Sequence, residues 1–152
     1  MTNPAPEHFV RQQDDYSCGP ACLATVAKLY GVSKVDYDFF RGLLNPDPQV
    51  GSCNFKMSDV SRLHLPFASS GEDCYAGGVA VACITEDEGH YVVFLCMDGE
   101  DVVYYCPYDH KIYAKKLSGI NWVTESGHLR RWAINFDDFP GNAPEVWKSL
   151  GL

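Results

Sequence analysis

The order of apolar and polar positions divides the chain into a helical half and a stranded half. From Cys18 to Tyr30 the run CGPACLATVAKLY leaves only Thr25 and Lys28 polar, which suits a helix buried on all sides. Pro20 falls in its first turn, where a missing N–H costs nothing, and Gly31 follows as a C-cap. A second helix is predicted from Ser33. Ser33 and Asp36 have capping-box spacing, and Tyr37, Phe40, Leu43 and Leu44 share one face before Asn45-Pro46. A third, shorter helix is predicted over Ser58 to His64.

After Pro66 the period changes. GGVAVACI, HYVVFLCM, DVVYYCPY and KIYAKKL are short runs rich in β-branched and aromatic residues, separated by glycine and acidic turns. Asp98-Gly99 between two of them is a hairpin signal, and the runs follow too closely for helical crossovers, so the strands are mainly antiparallel. RRWAINF supplies a further strand. Residues 1–8, with Pro4 and Pro6, read as a flexible lead-in, with order starting near Phe9. Residues 137–152 read as an irregular extension that packs Trp147 and Leu150. The pattern predicts one α+β domain over 1–152, helices first and antiparallel sheet second.

Charge narrows the function. Twenty acidic and 12 basic side chains give a net charge of -8 and an isoelectric point near 4.9, which excludes a general phosphate-binding surface and predicts no nucleic-acid partner. No apolar run approaches the roughly 18 residues of a membrane helix, and MTNPAPEHFV lacks the form of a signal peptide. A cytoplasmic location without membrane insertion is therefore expected, with secretion as an effector by a signal-independent route the alternative. Seven cysteines form an odd set, read as mostly reduced thiols. Cys18 and Cys22 are four apart, a spacing that can hold a metal, but no CxxC pair accompanies them. Cys22, Cys83 and Cys96 read as small core residues, and neither a metal nor an organic cofactor is expected.

The chemistry concentrates in RQQDDYSCGPACL, residues 11–23. A cysteine opening an apolar helix has its sulfur beside free N–H groups and the positive end of the helix dipole, which favour thiolate. Cys18 is the candidate nucleophile. Gln12 and Gln13 lie just upstream on a loop able to fold over the helix start, where a side-chain amide would join the Cys18 N–H as an oxyanion donor. His90 opens the apolar run YVVFL and is the candidate imidazole partner. His8, His64, His110 and His128 read as ordinary lead-in, helix-end and turn residues. Glu86-Asp87-Glu88 and Asp14-Asp15 would make the cleft acidic, favouring cationic or neutral peptides.

The first segment resembles the papain-like cysteine peptidases that remove double-glycine leaders from bacteriocins, family C39, in a stand-alone form. Their first active-site block is matched by Gln12, Asp14-Asp15, Cys18-Gly19 and CLATV, and their histidine block by Gly89-His90-Tyr91-Val92-Val93-Phe94. The resemblance spans roughly Phe9 to Tyr113 and implies a papain-like fold. It further implies a Cys-His-Asp triad with a glutamine oxyanion donor. In that family the orienting residue is an Asp, usually followed by Pro; here VVYYCPYDH puts Cys106 before Pro107 and Asp109 two residues later. Asp109 is the candidate for the third role; alternatively Cys106 or a backbone carbonyl fills the vacated position.

These features predict a cysteine hydrolase for a peptide or isopeptide amide, cleaving after small residues such as Gly-Gly, with a peptide or protein as its partner. The same site would serve a glutamine deamidase, a transamidase or a toxin-like effector. An inactive papain-like peptide-binding module is the reading from a different class.

Overall fold

Helix α1 spans Cys18–Leu29 in the computed structural model of the protein, which describes residues 2–32, 34–49, 51–52, 54–65, 68–73, 75, 77–86, 88–122 and 133–136. Every α1 residue except Lys28 is buried, as its near-continuous apolar sequence requires. Its C-terminus closes as a Schellman motif: Gly31 takes φ 71°, its N–H donates to Lys28 O at 3.2 Å, and the Val32 N–H donates to Ala27 O at 2.8 Å. Thr25, the polar exception, turns its hydroxyl to Ala21 O at 2.8 Å and accepts the Val10 N–H at 3.0 Å. The residue that interrupts the apolar run thus pins the segment leading to Gln12.

Helix α2 spans Tyr37–Leu44 and starts later than the Ser33 expectation. Asp36 is itself the N-cap, its carboxylate accepting the Phe39 N–H at 2.9 Å, so the residue read as the far member of a capping box is the cap. Tyr37, Phe40 and Leu44 face the core, whereas Leu43 is 43% exposed and leaves the expected stripe. Helix α3 spans Asn54–His64, four residues longer at its start than expected.

Seven described strands form one sheet in the order β1-β6-β5-β4-β3-β7-β2, with every pairing antiparallel. They are β1 (Thr2–Pro4), β2 (Ala68–Asp73), β3 (Val79–Glu86), β4 (Glu88–Asp98), β5 (Asp101–Cys106), β6 (Lys111–Lys116) and β7 (Ala133–Phe136). The four runs read as strands became β3 to β6, and β7 covers the end of RRWAINF. Two strands escaped the sequence pattern. β2 is ASSGED, small and polar; β1 lies in the lead-in, where Thr2 pairs with Tyr113 and the Ala5 N–H donates to His110 O at 3.1 Å. Pro4 is tolerated there because β1 is an edge strand. The expected packing of Trp147 and Leu150 lies outside the described residues.

The helices cover one face of the sheet, where Val81, Tyr91, Val93, Leu95, Val103 and Tyr105 join α1 in a single core. The other face is also buried: Ala82, Ile84, Val92, Phe94, Val102 and Tyr104 pack with Tyr75, Ile120 and Trp122. Double coverage explains why VVFL and VVYY are continuous apolar runs rather than alternating ones. The fold is α+β, three described helices against an antiparallel sheet, as the pattern predicts.

Candidate active site

The N-terminus of α1 meets the start of β4, where Cys18 contacts the residue that follows His90. Cys18 is the first residue of α1 and is buried, and its Sγ accepts the Tyr91 N–H at 3.3 Å. That bond sets the sulfur one peptide from His90. Close packing holds the junction: a Cβ on Gly19 would come within 2.9 Å of Met57 Sδ and 3.1 Å of Ser52 Oγ, so only glycine follows the cysteine without displacing them. The Tyr91 hydroxyl donates to Ser52 O at 2.8 Å, tying β4 to the segment that covers Gly19. Ser52 has no signal in the sequence, because its place depends on how the stretch between α2 and α3 folds back.

Burial works against the thiolate that the helix start alone would favour. Burial pushes the Cys18 thiol up, and the N–H groups of Tyr91, Gly19 and Cys18 oppose this without overcoming it. The nearby Asp14 charge raises it further. Burial thus favours the protonated thiol at Cys18, and a base is expected to take its proton during reaction.

Gln12 and Gln13 separate cleanly. Gln13 is exposed, and its N–H donates to Tyr37 Oη at 3.2 Å. Gln12 is buried; one amide hydrogen goes to Asp14 O at 2.7 Å, and its Oε1 is buried with no hydrogen-bond partner. Asp14 carries the loop's anchor. Its carboxylate accepts Arg41 Nη2 at 3.0 Å and the Tyr16 N–H at 3.2 Å. Burial pulls the Asp14 carboxyl up, but hydrogen bonds from Ser17, Arg41 and Tyr16 and the Arg41 charge outweigh it and hold it below its ordinary value. Of the acidic pair, only Asp15 is left exposed, which reduces the acidic field expected from this loop.

On the far side of His90, the Nε2 atom lies 3.8 Å from Cys106 Sγ. Cys106 closes β5 on the strand face shared with Val102 and Tyr104. Asp109, two residues past Pro107, sits in the turn between β5 and β6, and its Oδ2 accepts the Tyr113 hydroxyl. Backbone bonds bind this turn to the glutamine segment: the Gln12 N–H donates to Pro107 O at 3.1 Å, and Tyr105 Oη donates to Val10 O at 2.8 Å. The Cys18 sulfur is thus held at the peptide that follows His90, the His90 imidazole at Cys106, and the Gln12 backbone at the residue after Cys106, with Asp109 in the adjoining turn. Cys22 and Cys83 are buried and Cys96 half-buried, as expected for packing residues, and the five described cysteines are free thiols. Among the described residues no group of three or more His, Cys, Asp or Glu side chains is placed to hold a metal.

The geometry fits nucleophilic acyl chemistry by a thiol, and comparison with known proteins points the same way. The sequence profile described as the Peptidase C39 family matches residues 6–120. No curated protein matches the chain. Among solved structures, the peptidase domain of Streptococcus ComA, a bi-functional ABC transporter involved in a quorum-sensing pathway, is similar with a TM-score of 0.65. The two share 22% sequence identity, over 83% of this chain and 94% of that one, a likeness of fold.

Proposed function

The chain belongs to the Peptidase C39 family and is a cysteine peptidase, and from that premise we propose that it cleaves a peptide bond after small residues, Gly-Gly foremost, using Cys18 and His90. The observation that carries this reading is the docking of Cys18 Sγ on the Tyr91 N–H, which brings a helix-start sulfur to the peptide that follows His90. In the reaction His90 takes the Cys18 proton as the sulfur bonds to the substrate carbonyl carbon. The resulting oxyanion is met by the Cys18 N–H and the Gln12 amide. His90 then gives its proton to the departing amine as the C–N bond breaks, leaving a thioester on Cys18. Water, deprotonated by His90, hydrolyses that thioester and restores the thiol.

Glycine at the cleaved position follows from the crowding at the helix start. Ser52 and Met57 pack against Gly19 beside the nucleophile, and we take substrate residues without side chains to suit a site crowded in this way. Membership of a peptidase family supports a peptide or protein substrate, which is the partner proposed here. The test is direct: incubate the chain with a peptide carrying an internal Gly-Gly and read the fragments by mass spectrometry. The expected result is cleavage after the second glycine, lost on the order of 10⁴-fold or more in Cys18→Ala. Release of ammonia from glutamine side chains with no cut peptide would instead assign a deamidase.

A further inference from the structure

The residue that holds a catalytic imidazole is ordinarily a carboxylate or amide, yet the side chain next to His90 Nε2 here is a thiol. Its setting is constrained. The Cys106 carbonyl accepts the His110 N–H at 3.0 Å, closing a turn in which His110 takes φ 57°, an uncommon value for a residue with a side chain. The Ala5 N–H caps His110 O, and the Gln12 N–H caps Pro107 O, so the turn is held from two sides. That conformation folds Asp109 back toward the strand it has just left. Its Oδ2 is fixed by Tyr113 Oη, reaching across from β6, while its Oδ1 is buried with no nitrogen or oxygen donor beside it and only the Cys106 thiol to share a side-chain hydrogen bond with the carboxyl. A buried carboxylate oxygen left without a donor is costly unless a donor reaches it during function.

We propose that Cys106 and Asp109 act in series as a positioning relay for His90: the Cys106 sulfur accepts the Nε2–H of the imidazole and turns its own S–H toward the Asp109 carboxylate, which Tyr113 holds in place. A thiol has one weak donor and a weak acceptor, so it can join the two partners where a methyl group could not. The relay requires Cys106 to keep its proton. Burial pushes that thiol up to about 11, the N–H groups of Asp109 and Tyr108 oppose this, and the Asp109 charge adds to the rise. With hydrogen on Nε2, the basic nitrogen of His90 is Nδ1, and it is this atom that takes the Cys18 proton in the proposed reaction. When the imidazole becomes cationic, the Asp109 charge balances it through the thiol. No covalent bond changes in the relay. Asp109 and Cys106 are positioning residues, and their role rests on the reading of His90 as the base of a peptidase.

Steady-state hydrolysis of a Gly-Gly-aminomethylcoumarin peptide by the full chain tests it, with thermal melts confirming that each variant folds. Cys106→Ser retains a donor and an acceptor and is expected to stay close to wild-type kcat. Cys106→Ala and Asp109→Asn are each expected to lower kcat about tenfold or more with KM little changed, as outer partners of a catalytic histidine do. The double variant is expected to lose no more than either single one, because both break one chain of contacts. In Cys106→Asp the carboxylate meets Nε2–H directly, so adding Asp109→Asn is expected to cost nothing. Multiplicative losses in the double variant, or an undiminished cost of Asp109→Asn beside Cys106→Asp, would overturn the relay. Should Cys106→Ala fail to fold, Cys106→Ser and the Asp109→Asn comparison carry the test. Wild-type turnover in His90→Ala would instead sink the peptidase reading itself. If His90→Ala is dead while Asp109→Asn and Cys106→Ala keep full kcat, only the relay falls.

Discussion

At the scale of single residues, the site turns on competition between burial and backbone donors. Backbone N–H groups of Tyr91, Gly19 and Cys18 favour the Cys18 thiolate, and desolvation outweighs them and pushes the thiol up. Alkylation of Cys18 by iodoacetamide, which needs thiolate, is therefore expected to be slow at pH 7 and to rise only above the ordinary thiol range, about pH 8.5. Rapid labelling at pH 6 would show that the donors win. The two glutamines offer a second check. Gln12→Ala is expected to lower kcat on the order of 10²-fold or more, the loss seen when an oxyanion donor is removed, whereas exposed Gln13→Ala leaves it unchanged. The reverse ranking would move the oxyanion donor. The positions of Cys18 at the first residue of α1 and of His90 near the start of β4 were legible in the sequence, because each precedes an unmistakable apolar run. The place beside His90 Nε2 was not, because it depends on the path of the four-residue turn after Cys106. The sequence favoured Asp109 for that place with Cys106 as the alternative, and it is the Cys106 sulfur that lies beside Nε2.

At the scale of elements, the ends decide more than the middles. α1 stops where Gly31 adopts positive φ with open space around it, so Gly31→Ala meets no clash and should cost about 1 kcal/mol through backbone strain alone. Asp36→Ala removes the α2 cap and should cost a similar amount, about 1 kcal/mol. Urea denaturation measures both, and an unchanged midpoint in either would mean that the end is set by packing instead. Reading Asp36 as the third helical residue was a natural error: capping-box spacing from Ser33 and direct capping by Asp36 use the same side chain. β2 and β1 were missed for a different reason. ASSGED has no apolar alternation, and Thr2–Pro4 is recruited by the free edge of β6, a tertiary cause with no local signature. Arg41 links element to site, since its bond to Asp14 fastens the loop that carries Gln12 to α2.

At the scale of the whole molecule, one α+β core buries thiols and phenols on both sides of the sheet junction. Burial pushes Cys22 well above its ordinary value, Cys106 to about 11, and Tyr105 upward as well. A group whose folded pKa is raised binds its proton more tightly in the native state. Its contribution is complete below the unfolded pKa and is lost as pH rises through the folded value. Thermal stability is therefore expected to hold up to about pH 8.5 and then to fall steadily toward pH 11. A flat Tm across that range would mean that these groups are better solvated than their burial indicates. The division into a helical half and a stranded half was legible because two covered sheet faces demand continuous apolar runs. The junction between the halves, where Ser52 and Met57 close on Gly19, is written in no local pattern.

The most direct test of the account is covalent capture. The chain is treated at pH 7 with a peptide vinyl sulfone ending in Gly-Gly, and the adduct is mapped by mass spectrometry in the wild type and in His90→Ala. The expected result is a single adduct on Cys18 that forms in the wild type and not in His90→Ala, because a neutral thiol needs the imidazole to take its proton. An adduct on another cysteine, or equal labelling of Cys18 without His90, would contradict it.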